Sequence, residues 1–272
     1  MNDLPTFVAQ LGPKLYPILC MYLLVYARIA PIVAMSPFFA AKLVPGPVKV
    51  ILALCLTAIL FPQYLSRPIA LEFNWTLMGL LLKELMVGTI IGFLGTIPFA
   101  IAQTAGVLVD HQREASSIGV MDPSIGEQSS PLGILYNNVL LALFFTIQGP
   151  FLFLDAVATS LQVLPPDQPL PGSFLSATGP AWTFAAGLAQ FVLKMGVQLA
   201  GPGLVALLLA DMLLGIANRL APQVQISFLG MGLKSLFGLA ALFVSWYFLV
   251  QVLLRSSSDW MTGLNLLFQR LV

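Results

Sequence analysis

Six long apolar stretches constrain the fold of this chain more than any other feature of its sequence. They cover about residues 16–35, 48–61, 75–105, 132–163, 182–216 and 226–254. A helix needs about 20 apolar residues to cross the hydrocarbon core of a bilayer, so the second stretch is short and the others suffice. The stretches are also continuous, whereas the strands of a membrane barrel alternate over about ten residues. The sequence therefore predicts an all-α membrane protein.

The composition supports this prediction and excludes other classes of protein. Hydrophobic residues make up 58% of the 272 residues, charged residues only 8%, and the mean hydropathy is +0.94. Soluble domains carry about 25% charged residues, and disordered chains combine low hydrophobicity with a high net charge. The formal net charge of +1 leaves no strongly basic face for nucleic acid. We therefore expect no nucleic-acid partner.

Proline and glycine interrupt the apolar stretches unusually often, with 20 prolines and 22 glycines in the chain. Proline removes a backbone donor and clashes one turn back, so it bends or ends a helix. The predicted breaks lie at Pro31 and Pro37, at Pro98, at 149–150 and at 201–203. In lipid, the freed backbone groups need partners in protein or in water. The breaks therefore indicate either helices packed against other protein chains or ordinary tolerated kinks, and composition alone favours neither.

Several charged side chains lie within or beside the apolar stretches, where an unpaired charge costs a few kcal/mol. We expect them to form structural pairs between segments or subunits, or else to be satisfied near helix ends. Lys83 and Glu84 are neighbours, so they should point in different directions and pair elsewhere. The candidates for buried structural charges are Arg28, Lys83, Glu84, Asp211, Arg219 and Lys234, and Asp155 and Lys194 lie in similar surroundings.

A polar segment of more than twenty residues separates the third and fourth stretches, from Asp110 to Pro131. Connections of this length are usually functional or disordered. The segment mixes small residues with Val120 and Met121, and a methionine can fill an irregular gap because its side chain is flexible. A solvated surface loop with a few apolar residues is the alternative interpretation.

Catalytic patterns are missing from the sequence. It contains one histidine, His111, and neither a phosphate-binding loop nor a nucleophile elbow. We therefore predict that the chain is not an enzyme and needs no cofactor or metal. Gly88 and Gly92 form one GxxxG motif, a signal for close helix packing that has low specificity in so glycine-rich a chain. A small secondary transporter with broken helices is the alternative function, although it predicts internal repeats that the sequence lacks.

Four stretches of the sequence form a pattern that covers nearly the whole chain. They are 28–49 with Pro47-Val48-Lys49; Lys83-Glu84 with Gly88, Gly92 and Ile97-Pro98-Phe99; Asp110-His111-Gln112-Arg113 with Met121-Asp122-Pro123 and Gln128-Ser129-Ser130-Pro131; and Asp211 with Asn218-Arg219, Ala221-Pro222-Gln223 and Gly232-Leu233-Lys234. In these stretches the chain resembles the FliR/SctT (SpaR) family of the bacterial type III secretion export apparatus, and the injectisome branch fits better than the flagellar one. His111 is the one departure from the family pattern.

The resemblance implies a place in a larger assembly at the bacterial inner membrane. One copy would join several SctR/FliP-like and SctS/FliQ-like subunits as kinked, tilted helix hairpins in a helical export gate. Unfolded secreted proteins would pass through the gate, and part of it would protrude on the periplasmic side. Further implied partners are SctU/FlhB-like and SctV/FlhA-like export components, inner rod and needle proteins, and membrane lipid. The chain itself would be a single helical domain over residues 1–272.

The resemblance also implies that the polar segment is a loop that closes the export channel at rest. Val120 and Met121 are the candidates for its apolar contact. Gln112, Arg113, Asp122 and Gln128 are the candidates for holding its base, and Pro123 would stiffen it. Ser116 and Ser117 complete the predicted loop residues.

Overall fold

The computed structural model describes residues 3–39, 44–64, 75–113, 130–169, 180–220 and 226–270, with side chains in most of them. All the regular elements in these ranges are helical, so the prediction of an all-α fold is confirmed. The helices are α1 (Asp3–Met35), α2 (Gly46–Leu60, extended by a 3-10 turn over Phe61–Tyr64), α3 (Trp75–Gln112), α4 (Pro131–Thr146), α5 (Gly149–Val163), α6 (Pro180–Leu220) and α7 (Ile226–Arg270).

Five of the described helical segments are long and apolar enough to cross a membrane, by length and composition. A sixth is obtained if α4 and α5, which are bent by 74° relative to each other, count as one broken span. The second apolar stretch, which is short in the sequence, reaches 19 residues because the 3-10 turn continues α2 to Tyr64.

Only one of the predicted breaks inside a helical stretch interrupts a helix. Helices α1, α3 and α6 continue through Pro31, Pro98 and Pro202, so these predicted breaks are wrong. A proline removes a single backbone hydrogen bond, and the long helical segments on both sides retain theirs. Pro37 lies just beyond the end of α1, as expected for a helix terminator.

The predicted break at 149–150 is confirmed and has a specific local geometry. Gln148 adopts a left-handed conformation, with φ of 57°, which ends α4 and turns the chain sharply. Gly149 then begins α5, and Pro150 lies in its first turn, where no backbone donor is needed. A side chain at Gly149 would overlap the ring of Phe144. The turn therefore requires glycine at this position.

The chain divides into two compact units, each assembled from separate parts of the sequence. The first consists of Met1–Thr96, Phe151–Thr183 and Gly263–Val272, and the second of Ile97–Pro150 and Phe184–Thr262.

In the first unit, α1 and the first half of α3 lie in parallel contact. A Cβ at Gly88 would overlap the backbone carbonyl of Arg28, and one at Gly92 would meet the backbone of Ile32 at 3.1 Å. These two glycines are the GxxxG motif, so here it does mark a close helix contact. Helix α5 runs antiparallel beside them, with the Phe153 ring 5.0 Å from that of Phe38.

In the second unit, α4 packs antiparallel to the second half of α3, and Gly106 and Gly133 allow their backbones to meet. Phe99 and Phe144 continue this contact, with ring centroids 5.4 Å apart. Helices α6 and α7 form a second antiparallel pair, because the residues that face each other have rising numbers on one helix and falling numbers on the other. The facing pairs are Leu214 with Gly230, Asp211 with Lys234, Leu207 with Gly238, and Phe191 with Trp260.

Candidate functional site

A buried ion pair joins α1 to α3 in the first unit. Arg28 and Glu84 are both 0% exposed, and their side chains meet as a fork. The Arg28 Nε donates to Glu84 Oε2 at 2.5 Å, and Nη2 donates to Oε1 at 2.7 Å. Two parallel charge-assisted bonds are the strongest contact that this pair of side chains can make. Both side chains are thus buried and paired with each other.

Arg28 also binds the C-terminal end of α5. Its Nη1 donates to the carbonyl of Ser160 at 2.8 Å, and its Nη2 donates to that of Leu164 at 2.7 Å. The Ser160 carbonyl also accepts from the backbone N–H of Leu164 at 3.0 Å, so Arg28 adds a second donor there. Both carbonyls lie at the C-terminal end of α5, where the helix dipole is negative. The guanidinium therefore satisfies the end of α5 as well as the Glu84 carboxylate.

Lys83 extends this cluster to the turn that follows α5. Its Nζ lies 2.6 Å from Glu84 Oε1 and donates to the carbonyls of Pro165 at 2.9 Å and Gln168 at 2.7 Å. Lys83 and Glu84 do pair with other segments, as expected. The expectation that they point apart is wrong, because the long lysine side chain reaches back to its neighbour's carboxylate.

A second cluster lies where α3 ends and α4 begins. Asp110 Oδ2 accepts hydrogen bonds from the hydroxyl of Ser130 at 2.5 Å and from the backbone N–H of Leu132 at 2.8 Å. The Ser130 hydroxyl in turn accepts from the backbone N–H of Gly133 at 2.9 Å, as an N-cap. Arg113 Nη2 lies 2.7 Å from Asp110 Oδ1. We call Asp110, Arg113 and Ser130 the loop base, because they join the two ends of the 114–129 segment.

The loop base corrects the predicted extent of the polar segment. Asp110, His111 and Gln112 belong to α3, so the connection is shorter than the predicted 110–131. The structure places Arg113 in this cluster and adds Asp110 and Ser130, which the sequence analysis does not name as candidates. The Ser130-Pro131 pair could have indicated the cap, because serine at the N-cap and proline at the first helical position are typical of a helix start.

Gln112 links the end of α3 to α6 and, through Asp211, to α7. Its Nε2 donates to Asp211 Oδ2 on α6 at 3.2 Å. Asp211 Oδ1 lies 2.5 Å from Lys234 Nζ on α7, with the two side chains 32% and 14% exposed. Asp211 and Lys234 thus form an ion pair that is only partly buried. Arg219 is exposed in the isolated chain and forms no ion pair with the described residues, and its assignment as a structural charge stays a prediction. It lies in the last turn of α6, where a cation is favoured by the helix dipole without a partner.

Several predicted loop residues lie outside the described ranges, and their roles remain predictions. They are Ser116, Ser117, Val120, Met121, Asp122, Pro123 and Gln128.

The described side chains offer binding and positioning chemistry. Within those ranges, no three His, Cys, Asp or Glu side chains are grouped so that they could hold a metal ion. The Arg113 Nε and the Tyr136 hydroxyl are buried and have no hydrogen-bond partner among the residues that the structure describes. The site is therefore a set of helix-end anchors, and its geometry fits the mechanical task of holding helices and a loop.

Comparison with known proteins identifies the family. The family model described as bacterial export proteins, family 1, matches residues 19–259. The chain belongs to this family. Because the match covers both compact units, the buried charge cluster and the loop base are parts of an export protein. The FliR/SctT resemblance seen in the sequence is thereby confirmed.

Individual relatives of this export protein come from secretion systems and from flagella. It is 34% identical over 176 residues to the Yop proteins translocation protein T of Yersinia pestis, covering 64% of the chain and 66% of that relative. It is 29% identical to the secretion system apparatus protein SsaT of Salmonella typhimurium, covering 77% and 78%. It is 31% identical to the flagellar biosynthetic protein FliR of Bacillus subtilis, covering 78% and 81%. The alignment thus spans just under two thirds of the Yersinia protein.

Proposed function

We propose that this export protein is a structural and gating subunit of a type III secretion export gate in the bacterial inner membrane. The family match supports a role in protein export, and the apolar helices support a multi-pass membrane location. The observation that carries the gating role is the loop base. It fixes residues 113 and 130, so that the segment between them starts and ends at one rigid point.

The partners that we propose are SctR/FliP-like and SctS/FliQ-like subunits, which would form the channel together with one copy of this chain. SctU/FlhB-like and SctV/FlhA-like components would act on the same gate, and part of the assembly would protrude on the periplasmic side. Unfolded secreted proteins would be the transported cargo. Relatives named as translocation and secretion apparatus proteins support this assignment.

The gating mechanism follows from the chemistry of the proposed loop. A channel that passes unfolded polypeptides but retains ions needs a seal that adapts to many sequences. Flexible apolar side chains can supply one, since methionine repacks easily and a dry constriction blocks ions by excluding water. Val120 and Met121 would form the seal of this loop, and Asp110 would hold its base.

Deletion of Ser116–Ile125 tests the gating role. We expect the assembled complex to leak ions, measured as conductance in planar bilayers. A matched variant replaces only Val120 and Met121 with serine, and a control replaces Ser116 and Ser117 with alanine. The serine pair should leak and the alanine pair should not. Unchanged conductance in the deletion variant would remove the gating proposal.

The composition of the complex tests the proposed partners. Gentle detergent extraction followed by native mass spectrometry should show one copy of this chain bound to several copies of small helical membrane proteins. A chain that is monodisperse and folded alone, and that takes up a small solute by itself, would instead support the transporter alternative.

A further inference from the structure

The aliphatic part of the Arg113 side chain, which we call the Arg113 stem, lies against a position of α7 that has no side chain. A Cβ added at Gly238 would lie 3.1 Å from Arg113 Cδ and 3.5 Å from its Cγ. The same Cβ would lie 3.2 Å from Cδ2 of Leu207 on α6. Gly238 is buried and Leu207 is 0% exposed, so the gap is closed on its other sides. The Arg113 stem therefore occupies the space that a side chain at 238 would need.

The charged end of Arg113 is fixed as well, so the side chain has little freedom to move aside. Its Nη2 lies 2.7 Å from Asp110 Oδ1, and the whole residue is 7% exposed. Asp110 in turn accepts hydrogen bonds from the Ser130 hydroxyl and from the backbone N–H of Leu132, at the start of α4. A shift of the Arg113 stem would therefore be passed on to Asp110 and to the first turn of α4.

The end of α3 is also held against α6 by two other contacts. A Cβ added at Gly203 would lie 3.0 Å from Cγ2 of Val109, whose side chain is 0% exposed. One turn later, Gln112 donates to Asp211 at 3.2 Å, and Asp211 pairs with Lys234 of α7. Because packed interiors leave few voids, a helix held at these points has little room to slide away from α7.

We propose that Gly238 is a positioning residue for the loop base, because the space that it leaves holds the Arg113 stem where its guanidinium reaches Asp110. Glycine is unfavourable in a helix interior, and this close contact is a reason for its presence within α7. A larger side chain would overfill the gap and force its neighbours to shift. The consequence for export rests on the proposed gating function, whereas the contact itself does not.

Gly238→Val tests the positioning role in the assembled complex, with hydrogen exchange at the backbone N–H groups of 132–134 as the readout. We expect several-fold faster exchange, because Asp110 loses its fixed neighbour. The matched control is Gly215→Val on α6, which also replaces a helical glycine but meets nothing within 4 Å. Equal exchange rates in the two variants would overturn the proposal. If Gly238→Val does not assemble, Gly238→Ala is compared with Gly215→Ala in the same way.

A double-mutant cycle shows whether position 238 acts through Arg113. Arg113→Ala removes the stem and the ion pair, so exchange at 132–134 should already be fast in this variant. Adding Gly238→Val should then change the rates no further, because mutations that act through one contact are not additive. A further several-fold increase would show that the added side chain disturbs α6 and α7 in general, and the positioning role would be lost.

Ion conductance of the same complexes separates this proposal from the gating function. Gly238→Val should leak ions while native mass spectrometry shows an unchanged subunit composition, and Gly215→Val should not leak. Faster exchange at 132–134 without leakage would leave Gly238 as a positioning residue and count against the gating role. Unchanged exchange would remove the role of Gly238, and the loop deletion would still test gating.

Discussion

The two buried arginine–carboxylate pairs among the described residues lie at opposite ends of their helices, one at a C-terminus and one at an N-terminus. Arg28 and Glu84, joined by Lys83, meet the C-terminal end of α5, where backbone carbonyls accept hydrogen bonds from Arg28. Asp110 and Arg113 meet the N-terminal end of α4, where backbone N–H groups are exposed. The first cluster carries two cations and one anion, and in the second the carboxylate makes the contacts with the helix. In each case the charge that faces the helix end is opposite to the helix dipole.

The two clusters also differ in whether the buried guanidinium groups find hydrogen-bond partners. Arg28 and Glu84 are completely buried, and Arg28 makes two hydrogen bonds to Glu84 and one each to the carbonyls of Ser160 and Leu164 at the end of α5. At the loop base, by contrast, the Arg113 Nε has no hydrogen-bond partner among the described residues. We infer that the first cluster fixes the fold, whereas the second leaves capacity for change beside the proposed loop.

The largest effect is expected from Glu84→Ala. It leaves Arg28 and Lys83 buried without their anion, and removing one partner of a buried pair costs about 3–5 kcal/mol. The free energy of unfolding in detergent measures the loss. Asp259→Ala, which removes an exposed carboxylate, is the control and should change little. A loss below about 1 kcal/mol for Glu84→Ala would contradict the view of the first cluster as a fixed anchor.

Gly88→Val should have the next largest effect, because its side chain would overlap the Arg28 carbonyl and separate α1 from α3. Overpacking of this kind costs about 1–3 kcal/mol. Gly79→Val on the same helix is a matched control, since a Cβ there meets nothing within 4 Å. Equal losses in thermal stability for the two variants would show that helix propensity, and not close packing, causes the effect.

Asp110→Ala should destabilise the start of α4 by about 1–3 kcal/mol, because Leu132 and Ser130 lose their acceptor. Hydrogen exchange at the backbone N–H groups of 132–134 should quicken. Tyr136→Phe is a useful comparison in the same cluster, since its hydroxyl has no described partner and its removal should leave stability unchanged. If Tyr136→Phe costs as much as Asp110→Ala, the hydroxyl has a partner and the loop base is larger than described.

The smallest effect is expected from Lys234→Met. Its ion pair with Asp211 is partly exposed, and such pairs contribute about 0–1 kcal/mol. The charge pair is isolated with a double-mutant cycle that adds Asp211→Asn. A coupling energy similar to the loss in Glu84→Ala would show that the partly exposed pair stabilises the fold as much as the fully buried one.

The sequence predicts the members of these clusters better than their pairing, because the paired residues can lie far apart in the chain. Arg28 and Glu84 could be selected as charges in apolar surroundings, but their pairing joins residues 56 positions apart. Asp110 belongs to a motif of the family resemblance, but its place in a polar run gave no sign that its carboxylate would be buried. Pro98 and Pro202 misled the prediction of breaks, because proline has a local cost that long flanking helices can absorb.

The sequence by itself determined that this chain is a helical membrane protein, because continuous apolar runs with few charges allow no other low-energy arrangement in lipid. The resemblance to an export family rests instead on the quoted motifs. Tertiary structure decided which charges meet, which glycines allow helices to touch and which apolar faces remain exposed. In their most apolar windows, α3 and α7 have the same hydropathy, yet 61% of the first is buried and 22% of the second. Local composition sets the solvent that a helix prefers, whereas only the packing of distant segments sets which of its faces is covered.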